Sequence, residues 1–281
     1  MRVDMKHLRL CVFHILLLAP FYNIFAAEKP IQAGYKFGVF PYLSAIRMDQ
    51  IYSPVSNEIA RGINHKVKFR TSSTFKNFLG KLKSEYYDFA LIQPFWYPIA
   101  VDKKGYLPLL KMEEPFVALI MVLDNSLVKT VDDLRGKIIA TPPAFVPVVH
   151  LARQALIRKG ITPGKEVIFK AFKSVDSCLQ QVLTGKATAC VTPPFAPVIF
   201  EKSMKVKLRT VIKSESIPNL SIVIHPRIPM SDRASIKRII MSWDQSVSGR
   251  RLLDKMQTKR FLPIENNEYD VVRELLKRIK K

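Results

Sequence analysis

The sequence lacks the residue patterns of the common catalytic and metal centres. His65, His150 and His225 are far apart in the chain, and none has the H-E-x-x-H spacing that binds zinc. There is no G-x-S-x-G nucleophile elbow and no glycine-rich phosphate loop. These absences exclude the usual hydrolase, metalloprotease and nucleotide-binding motifs. We therefore predict a protein that is not an enzyme and that needs no metal or other cofactor.

Cysteine is scarce as well. The chain has 3 cysteines, and none of them forms a C-x-x-C pair. Cys11 precedes most of an N-terminal apolar stretch, so we do not expect it to be a lipoprotein cysteine. Cys178 and Cys190 would be allowed to form a disulfide in an oxidising compartment. Two small buried thiols are the alternative, and the sequence leaves both open.

Long apolar runs are missing except at the N-terminus. Residues 10–26 are mostly apolar, follow a basic start and end at small residues. This pattern predicts a signal peptide over residues 1–27, cleaved near Ala26 or Ala27. An uncleaved membrane anchor is the alternative, but the run is short and is interrupted by polar residues and a proline. We expect the mature protein in the periplasm.

Acidic residues are few compared with basic ones. The chain has 45 Lys and Arg against 23 Asp and Glu, a net charge of +22. Such a charge is typical of proteins that meet nucleic acid or anionic membranes. Here the basic residues follow helical spacing, as in "DRASIKRIIMSW", without the interleaved aromatics that stack on bases. We predict solvated helix faces, no specific nucleic-acid partner, and a weak attraction to anionic membrane surfaces.

What the chain does contain is two runs of strands alternating with helices. "YKFGVF", "KVKFRT" and "DFALI" are the strands of the first run, and "KIIAT", "EVIFKAF" and "ATACV" those of the second. Residues 47–63 show the spacing of a helix face. This order indicates an α/β protein with parallel sheets covered on both faces. After "LSIVIH" the remainder is predicted to be helical, over 231–244, 248–257 and 268–281.

The two runs predict two α/β lobes joined by a hinge. We expect the chain to cross between the lobes near 114–116 and 217–222. Lobe I would hold residues 28–115 and 220–281, and lobe II residues 116–219. A ligand of an open α/β sheet binds beyond the carboxyl ends of its strands, which places the binding site in an interlobe cleft.

Two long segments resemble a known family. "FGVFPYLSAIRM" with the residues up to "FALIQPFWYPIA", and "TVDDLRGKIIAT" with the residues up to "LTGKATACV", are similar to the two halves of periplasmic solute-binding proteins of ABC transporters, of the phosphate, phosphite and phosphonate type. The resemblance covers residues 35–201. It implies a type II periplasmic-binding-protein fold, which closes over a ligand and delivers it to a membrane permease.

The family's phosphonate site does not match this sequence. Relatives that bind phosphonates begin the helix of the second lobe with a Ser/Thr-Ser-Gly turn, whereas residues 141–145 here are Thr-Pro-Pro-Ala-Phe. Residues 174–176 are Ser-Val-Asp where the family often has a histidine in "SHD", and Thr188 stands where the family usually has an acid. Proline has no N–H to donate. An oxyanion buried with so few donors would lose several kcal/mol of hydration, which argues against a phosphonate ligand.

The turns that follow the strands are instead rich in proline and aromatic residues. "TPPAFVPV" and "TPPFAPV" are near-copies at equivalent turns of lobe II. We predict a rigid apolar pocket and an apolar or amphipathic ligand, such as a lipid, a sterol-like or an aromatic compound. The candidate ligand-binding residues are Tyr42, Gln93, Phe95, Trp96, Tyr97, Glu114, Thr141, Phe145, His150, Thr192 and Phe195.

Two alternatives stay open. The first is a phosphonate- or phosphate-type oxyanion binder that uses Tyr42, Thr141, Thr192 and the N–H groups after Pro147. The second is a periplasmic sensor subunit that docks on a membrane histidine kinase. In each case the partners would be a small-molecule or lipid ligand and an inner-membrane protein, the ABC permease in the interpretation we favour.

Overall fold

The computed structural model describes residues 34–279. The predicted signal peptide, its cleavage point and Cys11 lie outside the described residues. Two mixed sheets organise the described chain, and we call the parts built on them lobe I and lobe II. The sheet of lobe I contains β1 (Tyr35–Val39), β2 (Val67–Arg70), β3 (Phe89–Ile92), β4 (Leu107–Met112), β10 (Ser221–Ile224) and β11 (Phe261–Pro263). The sheet of lobe II contains β5 (Leu119–Leu123), β6 (Ile138–Thr141), β7 (Ile168–Ala171), β8 (Ala189–Thr192) and β9 (Leu208–Lys213).

Helices alternate with these strands, as the sequence predicts. They are α1 (Ala45–Ile63), α2 (Phe75–Lys83), α3 (Tyr97–Lys104), α4 (Pro147–Arg158), α5 (Val175–Leu183), α6 (Phe195–Met204), α7 (Met230–Met241), α8 (Val247–Met256) and α9 (Asp270–Ile279). The "TVDDLRG" segment contains the expected single helical turn, at Asp132–Leu134. The α/β class and the bilobal arrangement are confirmed.

The sheets are not purely parallel, and here the prediction was wrong in part. In lobe I, β1 pairs in parallel with β2 and β3, but β10 lies between β3 and β4 and is antiparallel to both. In lobe II, β6 pairs in parallel with β7 and β8, whereas β5 is antiparallel to β8 and β9. Parallel pairs need a crossover helix between their strands. Strands β5 and β10 enter from the other lobe without such a helix, so their direction is free to reverse.

Two segments carry the chain between the lobes. The first joins β4 to β5, and the second joins β9 to β10. They pair with each other at Phe116 and Ile217, whose backbone N–H groups each donate to the other's carbonyl at 2.9 Å. We call residues 113–118 and 214–220 the hinge segments. The exact lobe boundaries, 28–115 with 220–281 and 116–219, remain our proposal.

The C-terminal part contains one strand that the sequence analysis missed. Strand β11 pairs with β4 at the edge of the sheet of lobe I, where we predicted only helices. It is three residues long and ends at Pro263. Three residues give no alternating pattern to recognise, and proline is tolerated at a sheet edge because no partner needs its missing N–H.

Hydroxyl side chains cap the helices that begin next to the cleft. The Oγ1 of Thr74 accepts the backbone N–H of Asn77 at 3.1 Å, at the start of α2. Ser174 and Ser177 form a reciprocal capping box at the start of α5. Such caps satisfy N–H groups that the helix leaves without partners.

The two cysteines in the described range are free thiols, and both are buried. Burial, and secondly contact with the Cys178 thiol, raise the pKa of Cys190 well above its usual value. In residues 34–279 no helix has both the length and the apolar character needed to cross a membrane.

Candidate ligand-binding site

The turns that follow strands β1, β3, β6 and β8 line a common cavity between the lobes. We call it the cleft cavity. Tyr42 and Gln93 reach it from lobe I, and Phe195 reaches it from lobe II. The remaining walls are almost entirely apolar, and they include Phe40, Phe75, Pro142, Pro143, Val146 and Pro193. Its volume is only about 50 Å³. Pockets for drug-sized ligands usually measure roughly 300–1,000 Å³, so this cavity has no room for a lipid or a sterol.

Aromatic contacts across the cleft account for the small volume. The rings of Tyr42 and Phe195 meet edge to face with centroids 5.3 Å apart. The rings of Phe75 and Phe145 do the same at 5.7 Å. Each contact joins lobe I to lobe II, and edge-to-face geometry is favourable for aromatic pairs. The lobes therefore close on each other through their own side chains.

Gln93 is the one polar side chain in the apolar wall whose donor is unused. The residue is 3% exposed, and its Nε2 has no hydrogen-bond partner. A buried donor without a partner costs about 1–3 kcal/mol. An acceptor atom of a bound molecule would remove that cost, because Gln93 lines the cleft cavity.

The two threonines at the strand ends are buried. Thr192 donates its hydroxyl to the carbonyl of Pro193 at 3.0 Å, so this donor is already used within the turn. Thr141 is 2% exposed, and its carbonyl accepts the backbone N–H of Phe172 at 2.8 Å. The Thr192 hydroxyl is therefore not the open donor that the oxyanion alternative assigned to it.

Tyr42 links the cleft to the core of lobe I. Its hydroxyl lies 2.7 Å from the hydroxyl of Tyr52, and either oxygen is able to donate. Burial raises the pKa of Tyr42 to about 12, and the hydrogen bond to Tyr52 lowers it slightly. The phenol is therefore neutral at neutral pH and available as a hydrogen-bonding group at the cleft.

Trp96 and Tyr97 pack in the core of lobe I. The Trp96 ring stacks on Phe78 with centroids 5.5 Å apart. The Tyr97 ring stacks on Tyr269 at 3.7 Å, and its hydroxyl donates to Asn266 at 3.0 Å. Both predicted site residues thus pack on the core side of the turn after β3 and do not line the cleft cavity. The sequence offered no way to separate these rings from those that face the cleft, because all belong to one "QPFWYP" segment.

Glu114 binds the C-terminal part of the chain to the first hinge segment. One carboxylate oxygen accepts the Thr258 hydroxyl at 2.6 Å, and the other accepts the backbone N–H of Lys259 at 2.7 Å. Its neighbour Glu113 pairs with Arg260 at 2.5 Å. Both acids therefore act as structural anchors beside the hinge.

Phe95 and His150 meet in a different place. Their rings lie 5.6 Å apart, and both line a second interlobe cavity beside the hinge. Burial, and then the nearby Arg153, lower the pKa of His150. The imidazole is therefore neutral at neutral pH. The structure separates these two side chains from Tyr42, Gln93 and Phe195.

A polar cavity adjoins the cleft cavity, and the sequence analysis missed it. Its volume is about 350 Å³, and it shares Tyr42 and Ser174 with the cleft cavity. It is lined by Ser44, Thr71, Ser72 and Ser73 of lobe I, and by Lys173, Ser174 and Asp176 of lobe II. Most of these residues lie at the N-terminal ends of α1, α2 and α5. In the sequence, these residues appear as a hydroxyl residue or a lysine close to the start of a helix. That pattern alone indicates a helix start and not a cavity.

Three helix N-termini and one lysine surround the polar cavity. Helix N-termini carry partial positive charge and favour anions, and three helices begin here. Lys173 adds a full positive charge, which Asp176 in the same lining partly offsets. The Oγ1 of Thr71 is buried without a hydrogen-bond partner. In the described part of the chain no cluster of His, Cys, Asp and Glu is arranged to hold a metal ion.

Comparison with known proteins gives one family. A family model described as "ABC transporter, phosphonate, periplasmic substrate-binding protein" matches residues 37–269. No curated protein sequence matches the chain.

Several solved structures share the fold. PhnD1 from Prochlorococcus marinus in complex with methylphosphonate is similar with a TM-score of 0.74 and 15% identity, over 88% of this chain and 98% of that one. A binding protein component of an ABC phosphonate transporter from Pseudomonas aeruginosa gives 0.73 and 12%, over 86% and 85%. The periplasmic aliphatic sulphonate binding protein of Escherichia coli gives 0.63 and 12%, over 88% and 86%. The family match spans most of the chain, and the order of elements and the interlobe cleft agree with it. The chain belongs to the phosphonate-type periplasmic substrate-binding proteins of ABC transporters.

Proposed function

We propose that this protein is the periplasmic substrate-binding component of an ABC transporter and that its ligand is a small organic oxyanion of the phosphonate type. Family membership supports the oxyanion alternative better than the lipid or sterol-like ligand that the sequence analysis favoured. The volume of the cleft cavity, about 50 Å³, also argues against a ligand of lipid size. The role is binding and delivery to a permease, with no chemical step.

The polar cavity is the observation that carries this proposal. Relatives with a Ser/Thr-Ser-Gly turn are expected to hold the oxyanion at the start of the helix that corresponds to α4. In this chain Pro142 and Pro143 stand in that turn and have no N–H to donate. The N-terminal ends of α1, α2 and α5 supply positive potential a short way along the same cleft, together with Lys173. We infer that the anionic group of the ligand binds there.

The apolar cleft cavity supports an organic substituent on that anion. It adjoins the polar cavity at Tyr42 and Ser174, so one small molecule is able to enter both. Phe195, Pro142 and Pro143 offer an apolar wall, and the Nε2 of Gln93 offers a single donor. Inorganic phosphate has no apolar part to place against this wall. We therefore expect the protein to prefer alkyl- or arylphosphonates to phosphate.

Ligand contacts from both lobes provide the mechanism. Ser44 and Thr71 belong to lobe I, whereas Lys173 and Ser174 belong to lobe II. A ligand that contacts all four is bound fully only in the closed state, so binding shifts the population toward closure. A permease is then presented with a closed, loaded protein. We infer a periplasmic location from the family and from the signal-peptide pattern of residues 1–27.

Isothermal titration calorimetry of the purified protein tests the proposal. We expect saturable binding of methylphosphonate or phenylphosphonate, and weaker binding of inorganic phosphate. Binding of a sterol or a fatty acid without binding of any phosphonate or sulfonate would refute the proposed ligand class. It would leave the family assignment intact.

Lys173→Ala tests the placement of the anion, with Lys170→Ala as the matched control. Lys170 is exposed on β7 and does not line the polar cavity. Hydrogen bonds to charged groups contribute about 1.5–3 kcal/mol, so we expect phosphonate affinity to fall about tenfold or more in Lys173→Ala. The control should bind like the wild type. Equal affinities in the two variants would contradict an anion at Lys173.

A further inference from the structure

A second cavity between the lobes lies beside the hinge, away from the cleft cavity. We call it the hinge cavity. Its volume is about 430 Å³, within the range of roughly 300–1,000 Å³ that is typical of small-molecule sites. It shares no lining residue with the cleft cavity or the polar cavity. Its size therefore suits a ligand that the cleft cavity is too small to hold.

Both lobes and one hinge segment build its walls. Helix α4 of lobe II contributes His150 and Gln154 on one side. Helix α9 contributes Val271 and Arg278 on the other side. It follows β11, a strand of the lobe I sheet, in the chain. The second hinge segment contributes Ile217 at the base. A molecule bound here contacts both parts that move when the hinge opens, as well as the segment on which they turn.

The apolar part of the lining is partly exposed. Val271 is 44% exposed and Ile279 41% exposed, both on α9. Phe95, Leu151 and Leu275 extend this apolar surface into the cavity. Burial of such area stabilises a complex by roughly 25 cal/mol per Å² before binding costs. The cavity is thus suited to a ligand with an apolar body.

The charged part of the lining favours an anion. Its two acids already have partners: Glu215 pairs with Arg158, and Glu274 pairs with Lys277 at 2.7 Å. Within residues 34–279 Arg278 forms no ion pair, although its charge helps to lower the pKa of Glu274. Arg153 also lines the cavity without a carboxylate partner in the same range. Arg278 is therefore available to a bound anion, whereas Arg153 donates to the carbonyl of Pro163 at 3.3 Å and adds positive charge nearby.

We propose that the hinge cavity is a second binding site, for an organic anion that carries an apolar group, and that its occupancy is coupled to hinge closure. The apolar group lies against Leu151, Val271 and Leu275, and the anionic group meets Arg278. Because such a ligand contacts α4 and α9 together, it binds the arrangement of the lobes seen here better than an opened one. The site does not depend on the identity of the ligand in the cleft.

Fluorescence titration with 1-anilinonaphthalene-8-sulfonate tests the site, because this probe is an anion with an aromatic body. We expect one saturable site on the wild-type protein. Loss of a charged contact weakens binding at least about tenfold, so Arg278→Glu should show at least that loss. Arg251→Glu, the same charge reversal on the exposed face of α8, should bind like the wild type. Equal losses in both variants would overturn the proposal.

Two further variants separate probe binding in the hinge cavity from unfolding of the protein and from binding in the cleft cavity. Gln154→Trp places a bulky ring at the cavity from an exposed position of α4 and leaves the net charge unchanged. It should abolish probe binding while circular dichroism and the thermal unfolding curve stay like those of the wild type. Gln93→Ala changes the cleft cavity only and should leave probe binding unchanged. Probe binding that survives Gln154→Trp, or that Gln93→Ala removes, would show that the hinge cavity is not the site.

Discussion

The aromatic pair of Tyr42 and Phe195 holds the lobes together, and its removal should open the cleft. The rings meet edge to face at 5.3 Å from opposite lobes. The hydroxyl of Tyr42 is fixed by Tyr52 at 2.7 Å, so the ring is already ordered before the lobes close. Phe195→Ala removes the partner ring at the first residue of α6, which is only partly buried and packs at the margin of the core of lobe II.

The size of the effect follows from the contact. An aromatic pair contributes about 0.5–1.5 kcal/mol beyond the area it buries. With the buried area included, we expect Phe195→Ala to weaken closure by about 1–2 kcal/mol. One or two kcal/mol changes an equilibrium ratio about five- to thirtyfold. The second interlobe pair, Phe75 with Phe145, stays intact, so a part of the population should remain closed.

Small-angle X-ray scattering of the ligand-free protein measures this change. The wild type should scatter like the closed arrangement, and Phe195→Ala should show a larger radius of gyration. Val198→Ala is the matched control, since Val198 lies on the same helix and is 55% exposed. An unchanged radius for Phe195→Ala, or an equal increase in the control, would refute the claim that this pair holds the lobes closed.

Two stability predictions concern the surroundings of the site. Tyr97→Phe keeps the ring stack and loses the 3.0 Å hydrogen bond to Asn266, so the free energy of unfolding should fall by about 0.5–1.5 kcal/mol in chemical denaturation; a larger loss would mean that the stack itself is disturbed. Gly249→Ala places a Cβ 2.3 Å from the carbonyl oxygen of Trp243 and should destabilise by about 1–3 kcal/mol. Gly80→Ala meets nothing within 4 Å on α2 and should be neutral or slightly stabilising. Equal stabilities of the two glycine variants would contradict the close packing of α8 on Trp243.

The order of strands and helices was predictable from the sequence because it depends on local patterns. The four-residue spacing of apolar residues in 47–63 and the glycine and proline punctuation act over a few residues, and α1 begins two residues from the predicted position. The antiparallel pairing of β10 and the short strand β11 were not predictable. Their partners, β3 and β4, lie more than a hundred residues earlier, and pairing over that distance leaves no local trace.

The candidate ligand-binding site was also predictable only in part. Proline-rich turns with aromatic residues at the strand ends were evident in "TPPAFVPV" and "TPPFAPV", and Tyr42, Gln93 and Phe195 do share a cavity. The direction of each ring was not evident. Trp96 packs into the core although its immediate neighbour Phe95 lines the hinge cavity, and the Glu114 carboxylate accepts the Thr258 hydroxyl.

The family, the two lobes and the loss of the donors at the start of α4 were predictable from the amino-acid sequence, because each depends on residue types and their spacing. The size of the cleft cavity and the grouping of helix N-termini around the polar cavity became clear from the three-dimensional structure. Both depend on side chains from segments far apart in the chain. Ser44 and Thr71 of lobe I come close to Lys173 of lobe II only when the two lobes close, and that closure gives the polar cavity its form.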